Sequence, residues 1–194
     1  TQNLKAMIDK LKCCSTAQYY DYDSETLYLD YWVNDATREA FKLHFGTAIE
    51  LFQAFQILLT LNLYSVSEKQ KKELYQSTSL YVNETVPVLS VDERVVHIKD
   101  FVLKKRGVKG IVEGKSLSDG EHQLMHSLGL CLIFKDDNCL ILLDEPETHY
   151  NPDWRAKHIS RLRDCFQTGK AKTTMREMLI TTHAPFLISD SMKE

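Results

Sequence analysis

Two short apolar runs flanking one amphipathic stretch limit the fold of this chain more than any other feature. The run 140–143 in "CLILLDEP" is too short for a helix, and its unbroken apolar character predicts a strand buried on both faces. Asn151-Pro152 then supplies an N-cap and a first-turn proline for a helix over "PDWRAKHISRLRDCF", with Ile159, Leu162 and Phe166 as its inner face. A second buried strand over 178–182 closes a β-α-β unit. Such units have parallel strands and a right-handed crossover, so this half of the chain is α/β.

The N-terminal part has a different texture. Residues 4–13 have helical spacing, and "QYYDYDSETLYLDYWVN" alternates on either side of Asp23-Ser24-Glu25, the pattern of a β-hairpin. Asn34 and Asp35 are placed to cap one long helical stretch. Along it Phe41, Phe45, Ile49, Phe52 and Phe55 recur at three- and four-residue steps, a core stripe. A second, polar helix is expected over 67–76. Pro87 breaks the pattern, and "RVVHIKDFVLKK" alternates like a strand with one wet face. The expected organisation is a mainly helical segment with a hairpin over 1–90, followed by an α/β part over 91–194.

Composition narrows the functional classes. Of 194 residues, 43% are apolar and 26% charged, an ordinary globular balance that can form one sizeable core and a smaller subdomain. No apolar run reaches the length of a membrane span, and the polar start "TQNLKAMIDK" is no signal peptide. The net charge of −3 argues against a globally basic nucleic-acid binder, so DNA binding has no support from charge. The clusters Lys69-Gln70-Lys71-Lys72 and Lys104-Lys105-Arg106 read as solvated faces. Five cysteines without a CxxC pair fit a reducing cytoplasm. Cys131 and Cys139 read as small core residues, and the vicinal Cys13-Cys14 as inert. The first residue is Thr, which suggests a piece of a longer protein.

The stretch "KGIVEGKSLSDGEHQLMH" overlays two nucleotide motifs. A P-loop needs Gly-x4-Gly-Lys-[Ser/Thr], because that spacing sets how many backbone N–H groups wrap a phosphate before the lysine reaches it. Counting back from Gly114-Lys115-Ser116, the first glycine falls on Lys109, and the preceding "KKRGVKG" is polar where a buried strand should stand. Gly169-Lys170 is followed by Ala171. Neither is a P-loop. Ser118 and Glu121 form a Ser-x-x-Glu capping box instead. The helix it opens presents free N–H groups and a positive dipole end to an anion, and Gly120 allows close approach.

Downstream, Asp144-Glu145 places two carboxylates at the carboxyl end of a strand, where open α/β sheets bind ligands. Adjacent acids suit divided labour, one near a Mg²⁺ ion and one orienting or deprotonating an attacking water. Thr181-Thr182-His183 ends the second strand and brings an imidazole toward the same place. His122 and His126 have zinc-compatible spacing. The residue after His122 is Gln123 rather than a glutamate, and no third ligand is in view, so the two histidines do not make a site.

In this order, "LSDGEHQ", "CLILLDEP", "ETHYN" and "TTHAPF" resemble the signature, Walker B, D-loop and switch histidine of an ABC-type ATPase head, over residues 95–191. The wording is closest to restriction-system-associated and Septu- or retron-associated defence ATPases, whose heads are similar to SMC-type and OLD-family heads. The resemblance implies a partial ABC-ATPase head binding ATP and Mg²⁺, with Asp144 at the metal, Glu145 as general base and His183 on the γ-phosphate. It implies that Ser118, Asp119, Gly120 and Glu121 meet ATP held by a second subunit, Ser118 and Gly120 at its γ-phosphate. Asn151 stands where many such heads carry the D-loop aspartate, and Asp119 replaces a glycine. The implied assembly is a head-to-head homodimer that controls an effector nuclease in antiphage defence or DNA restriction. The Walker A and Q-loop motifs are not among these 194 residues, so this chain alone is expected to be inactive. The rival reading is a non-hydrolysing dimerisation module with ATPase-like remnants.

Overall fold

The computed structural model describes residues 2–81, 87–167 and 174–191. The side chain of Phe166 and the Gly169-Lys170-Ala171 segment lie outside the described residues. The chain is mixed α/β and divides into two units, 1–97 and 98–194. The first extends past the expected limit at 90 for a local reason. Asn62 donates to the Val96 carbonyl at 2.7 Å and accepts from its N–H at 2.9 Å, fastening residue 96 to the helices before it.

In the first unit, α1 (Gln2–Cys14) precedes the antiparallel hairpin β1 (Ala17–Asp21) and β2 (Thr26–Asp30). Asn34 caps α2 (Asp35–Phe45) by accepting from the Thr37 N–H. The long helix expected here is broken. Gly46, at φ +63°, ends α2 with its N–H on the Lys42 carbonyl, and Thr47 caps α3 (Ala48–Thr60). A positive φ at the helix end is where glycine is favoured. The phenylalanine stripe still enters a core, because Phe45 is buried with Leu11, Cys14, Ala54 and Leu58 while Phe41 and Phe55 pack against them. Ser67 and Gln70 form a capping box on α4 (Glu68–Gln76).

The strand expected over "RVVHIKDFVLKK" shrinks to β3 (Val102–Leu103), paired antiparallel with β4 (Val112–Glu113). Val96 has already committed its backbone to Asn62, so the alternating pattern cannot become a ladder there. Ser118 then caps α5 (Asp119–Ile133). β5 (Cys139–Asp144) and β6 (Arg176–Thr181) pair in parallel, from Cys139 opposite Arg176 to Asp144 opposite Thr181.

The β-α-β crossover is present, with two differences from expectation. Its helix is two pieces, α6 (Pro152–Arg155) and α7 (His158–Gln167), separated by a turn at Ala156-Lys157. The strands are also not buried on both faces. Cys139, Ile141, Leu143, Met178 and Ile180 pack on Cys131 of α5 and Leu162 of α7, but Leu140, Leu142 and Leu179 are 60%, 65% and 60% exposed. Side chains of a strand alternate between faces, and α5 and α7 cover only one of them. The last helix is α8 (Pro185–Ser191). All five cysteines are free thiols, and among the described residues no single helix is long and apolar enough to cross a membrane.

Candidate functional site

The carboxyl ends of β5 and β6 converge. Asp144 lies opposite Thr181, whose hydroxyl donates to Asp144 Oδ1. Just beyond that pair, His183 Nε2 stands 3.1 Å from Glu145 Oε1, with the imidazole almost wholly in solvent. Thr182 turns the other way and donates its hydroxyl to Glu147 Oε1 beneath. Three successive residues of one strand end thus engage three carboxylates of the other.

Glu145 adopts φ +42°, a left-handed backbone that a non-glycine residue reaches at a cost of order 1 kcal/mol. Its surroundings hold it there. Its N–H donates to the Thr181 carbonyl at 3.0 Å. Its own carbonyl accepts from the Thr148 N–H at 3.2 Å, the Thr148 hydroxyl at 2.8 Å and the Gln123 amide at 3.4 Å. Strain held in place by this many contacts fixes where a carboxylate points.

Beneath lies a polar layer that motif reading missed. Glu147 is buried, with Oε2 lacking a hydrogen-bond partner, and Ser127 is buried with its hydroxyl on the Gln123 carbonyl at 3.0 Å. Tyr150 meets the His158 ring edge-on at 5.0 Å, and burial pushes its phenol up. Arg155 ties the connecting loop by donating to the carbonyls of Glu147 at 3.3 Å and Thr148 at 3.2 Å. The only signal in the sequence was a third acid two residues past Asp144-Glu145.

At the start of α5 the capping box is complete. Glu121 N–H donates to Ser118 Oγ at 3.3 Å, and Ser118 N–H donates to Glu121 Oε2 at 3.0 Å. Glu121 also pairs with Lys105, and that hydrogen bond, then the one from the Ser118 backbone, holds its carboxyl down at about 2. Helix geometry leaves the N–H groups of Asp119 and Gly120 without intrahelical partners. Gly120 has a packing reason to be glycine, since a Cβ there would lie 2.5 Å from the His149 carbonyl oxygen. Asn151 uses its side chain to cap α6, accepting from Trp154 N–H at 2.9 Å.

Gly114-Lys115-Ser116 forms a 3-10 turn after a two-residue strand. Lys115 pairs with Glu113 at 2.8 Å, and a Cβ at Gly114 would strike the Phe101 ring. That is no phosphate cradle. Among the described residues no three His, Cys, Asp or Glu side chains group to hold a metal. The Asp144-Glu145 oxygens do fit the one or two carboxylates with which Mg²⁺ is commonly held beside substrate phosphates. Compared with models of known protein families the chain matches none, and no curated protein matches it.

Proposed function

We propose that residues 98–194 form the C-terminal part of an ABC-type ATPase head. The observation that carries the reading is the Glu145–His183 pair at 3.1 Å, on the adjoining ends of two parallel strands and next to Asp144. In this reading Glu145 takes the proton of the water that attacks the γ-phosphate, and His183 donates to that phosphate. Asp144 would hold Mg²⁺, which would supply charge neutralisation on the phosphates. Ser118 and the free N–H groups of Asp119 and Gly120 receive the γ-phosphate of ATP on a second subunit, with Glu121 fixing the turn and Asn151 in the D-loop position. The homodimer so formed would control an effector nuclease in defence or restriction.

The test joins this unit to a phosphate-binding loop and compares wild type with Glu145→Gln. Turnover should fall at least ~10²-fold while bound ATP and the dimer accumulate on light scattering, because the amide keeps the shape but accepts no proton. Unchanged turnover would refute the role of Glu145. Residues 1–194 alone should show no micromolar ATP affinity by calorimetry, since no P-loop is among them. The rival reading, a non-hydrolysing dimerisation module, draws support from the exposed Leu140, Leu142 and Leu179 face. It predicts dimers that are indifferent to nucleotide.

A further inference from the structure

The first unit carries a surface that the ATPase reading does not use. The 25 residues from Cys13 to Thr37 contain no lysine, arginine or histidine, but hold Asp21, Asp23, Glu25, Asp30 and Asp35. Those five charges exceed the net −3 of the whole chain. The same stretch holds six aromatic residues, and the hairpin displays most of them. Register places Tyr19 opposite Tyr28, Ala17 opposite Asp30 and Asp21 opposite Thr26, all on one face by strand alternation. Leu29 on the other face packs into the core, so the Tyr19–Tyr28 face looks outward. The two rings stack at 6.1 Å with 29° between their planes, and a carboxylate stands one register step away at each diagonal corner. Tyr19 is 63% exposed, Tyr22 84% and Trp32 71%.

We infer that this face is a docking surface for a basic, extended protein segment whose arginine or lysine side chains lie on the tyrosine pair between Asp21 and Asp30. Aromatic faces attract cations, and the flanking carboxylates add charge-assisted hydrogen bonds. Nucleic acid and anionic lipid share the sign of the hairpin and are repelled. A free small cation would need one ring, whereas these rings and acids span three same-face rows, about 13 Å of strand. β1 pairs only with β2 among the described residues, so its outer edge offers main-chain groups to an added strand.

The experiment titrates the 194-residue protein with a labelled nine-residue peptide of alternating arginine and valine, read by anisotropy and by Trp32 emission, with Trp32→Phe as the spectroscopic control. Binding should weaken at least tenfold in the Tyr19→Ser, Tyr28→Ser double variant and several-fold in Asp30→Asn, and should fall with added salt. Tyr19→Phe with Tyr28→Phe keeps the rings and the hairpin and should bind like wild type. A matched glutamate–valine peptide should not bind. Absence of binding by the arginine peptide, or equal binding by wild type and the double serine variant, overturns the proposal. It is also overturned if the protein self-associates without peptide and the serine variant abolishes that, because the occupant is then a second copy.

Discussion

Two small sheets in this chain leave one face in water, and they do so with different chemistry. The β1–β2 hairpin shows tyrosines beside carboxylates, while β5–β6 shows Leu140, Leu142 and Leu179. A tyrosine carries a polar handle and tolerates water. A leucine side chain gains only by leaving it, by roughly 1.5–3 kcal/mol when fully buried. The aromatic face suits contacts that form and break in water, and the aliphatic face has the composition of half a core. The covered face of β5–β6 gives the sharpest contrast. Leu162 beneath it is 1% exposed, so Leu162→Ala should cost about 2–5 kcal/mol in urea unfolding. Leu142→Ala on the open face should cost less than ~0.5 kcal/mol. Similar losses at both positions would mean that something covers the open face and would break the comparison.

A smaller effect separates two threonine donors, the buried Thr37 of the first unit and the half-buried Thr182 of the second. Thr37 donates to the Trp32 carbonyl at 2.7 Å, and Thr182 donates to the buried carboxylate of Glu147. Replacing Thr37 by Val removes a neutral bond, at about 1 kcal/mol. Thr182→Val strips a donor from a 4%-exposed acid and frees the Ala184 N–H that bonded the same hydroxyl at 2.9 Å, so the expected loss is about 1–3 kcal/mol. Equal losses would show that Glu147 is relieved by another group. The position of His183 rests on the same residue, so Thr182→Val should also lower the proposed turnover, and Thr182→Ser should restore it.

The sequence made local features legible and non-local ones not. The hairpin turn and the caps at Asn34, Ser118 and Asn151 each need only neighbours within a few residues, and all are present. The break at Gly46 went unread because the apolar stripe continues through it and suggests one helix. Burial of a strand's second face depends on what another segment covers, and no pattern inside 140–143 encodes that. Glu147 was missed for the same reason, since its partner Thr182 lies on a different strand end. The closeness of Asp144, Glu145 and His183 was legible because parallel pairing forces strand ends together once both strands are recognised.

Among the described residues each unit also contains one non-glycine residue at positive φ. They are Glu25 at +50° in the hairpin turn and Glu145 at +42° after β5. Glycine relieves such strain, so Glu25→Gly and Glu145→Gly should each raise stability by up to about 1 kcal/mol. The chemistry divides them. With residues 1–194 joined to a phosphate-binding loop, only Glu145→Gly should remove the proposed hydrolysis, and hydrolysis kept in that variant would refute the role of its carboxylate.

The smallest effect compares two carboxylates that each hold a turn. Ser24 and the Asp23 N–H keep Asp21 below its ordinary range, while Lys105 and Ser118 hold Glu121 at about 2, down from the usual 4.5. A depressed carboxylate contributes stability that is complete above its unfolded value and is lost as pH falls through its folded value. For Glu121 the loss therefore runs from about pH 4.5 down to about 2. The Lys105 pair is partly exposed, and such pairs contribute about 0.2–1 kcal/mol, so the melting temperature should move by roughly 1–3 °C on its account. Glu121→Gln keeps an acceptor for the Ser118 N–H but no charge for Lys105, so it should flatten this part of the acid profile and leave the capped helix in place. Asp21→Asn should also flatten the profile below the ordinary carboxylate range, but less, because its bonds are local to the hairpin and Asn can still accept from the Asp23 N–H. Melting curves at about pH 5 and about pH 3, on either side of the upper end of that window, decide the matter for both variants. If Glu121→Gln follows the wild-type acid profile, Lys105 does not hold the start of α5, and the turn stands on the capping box alone.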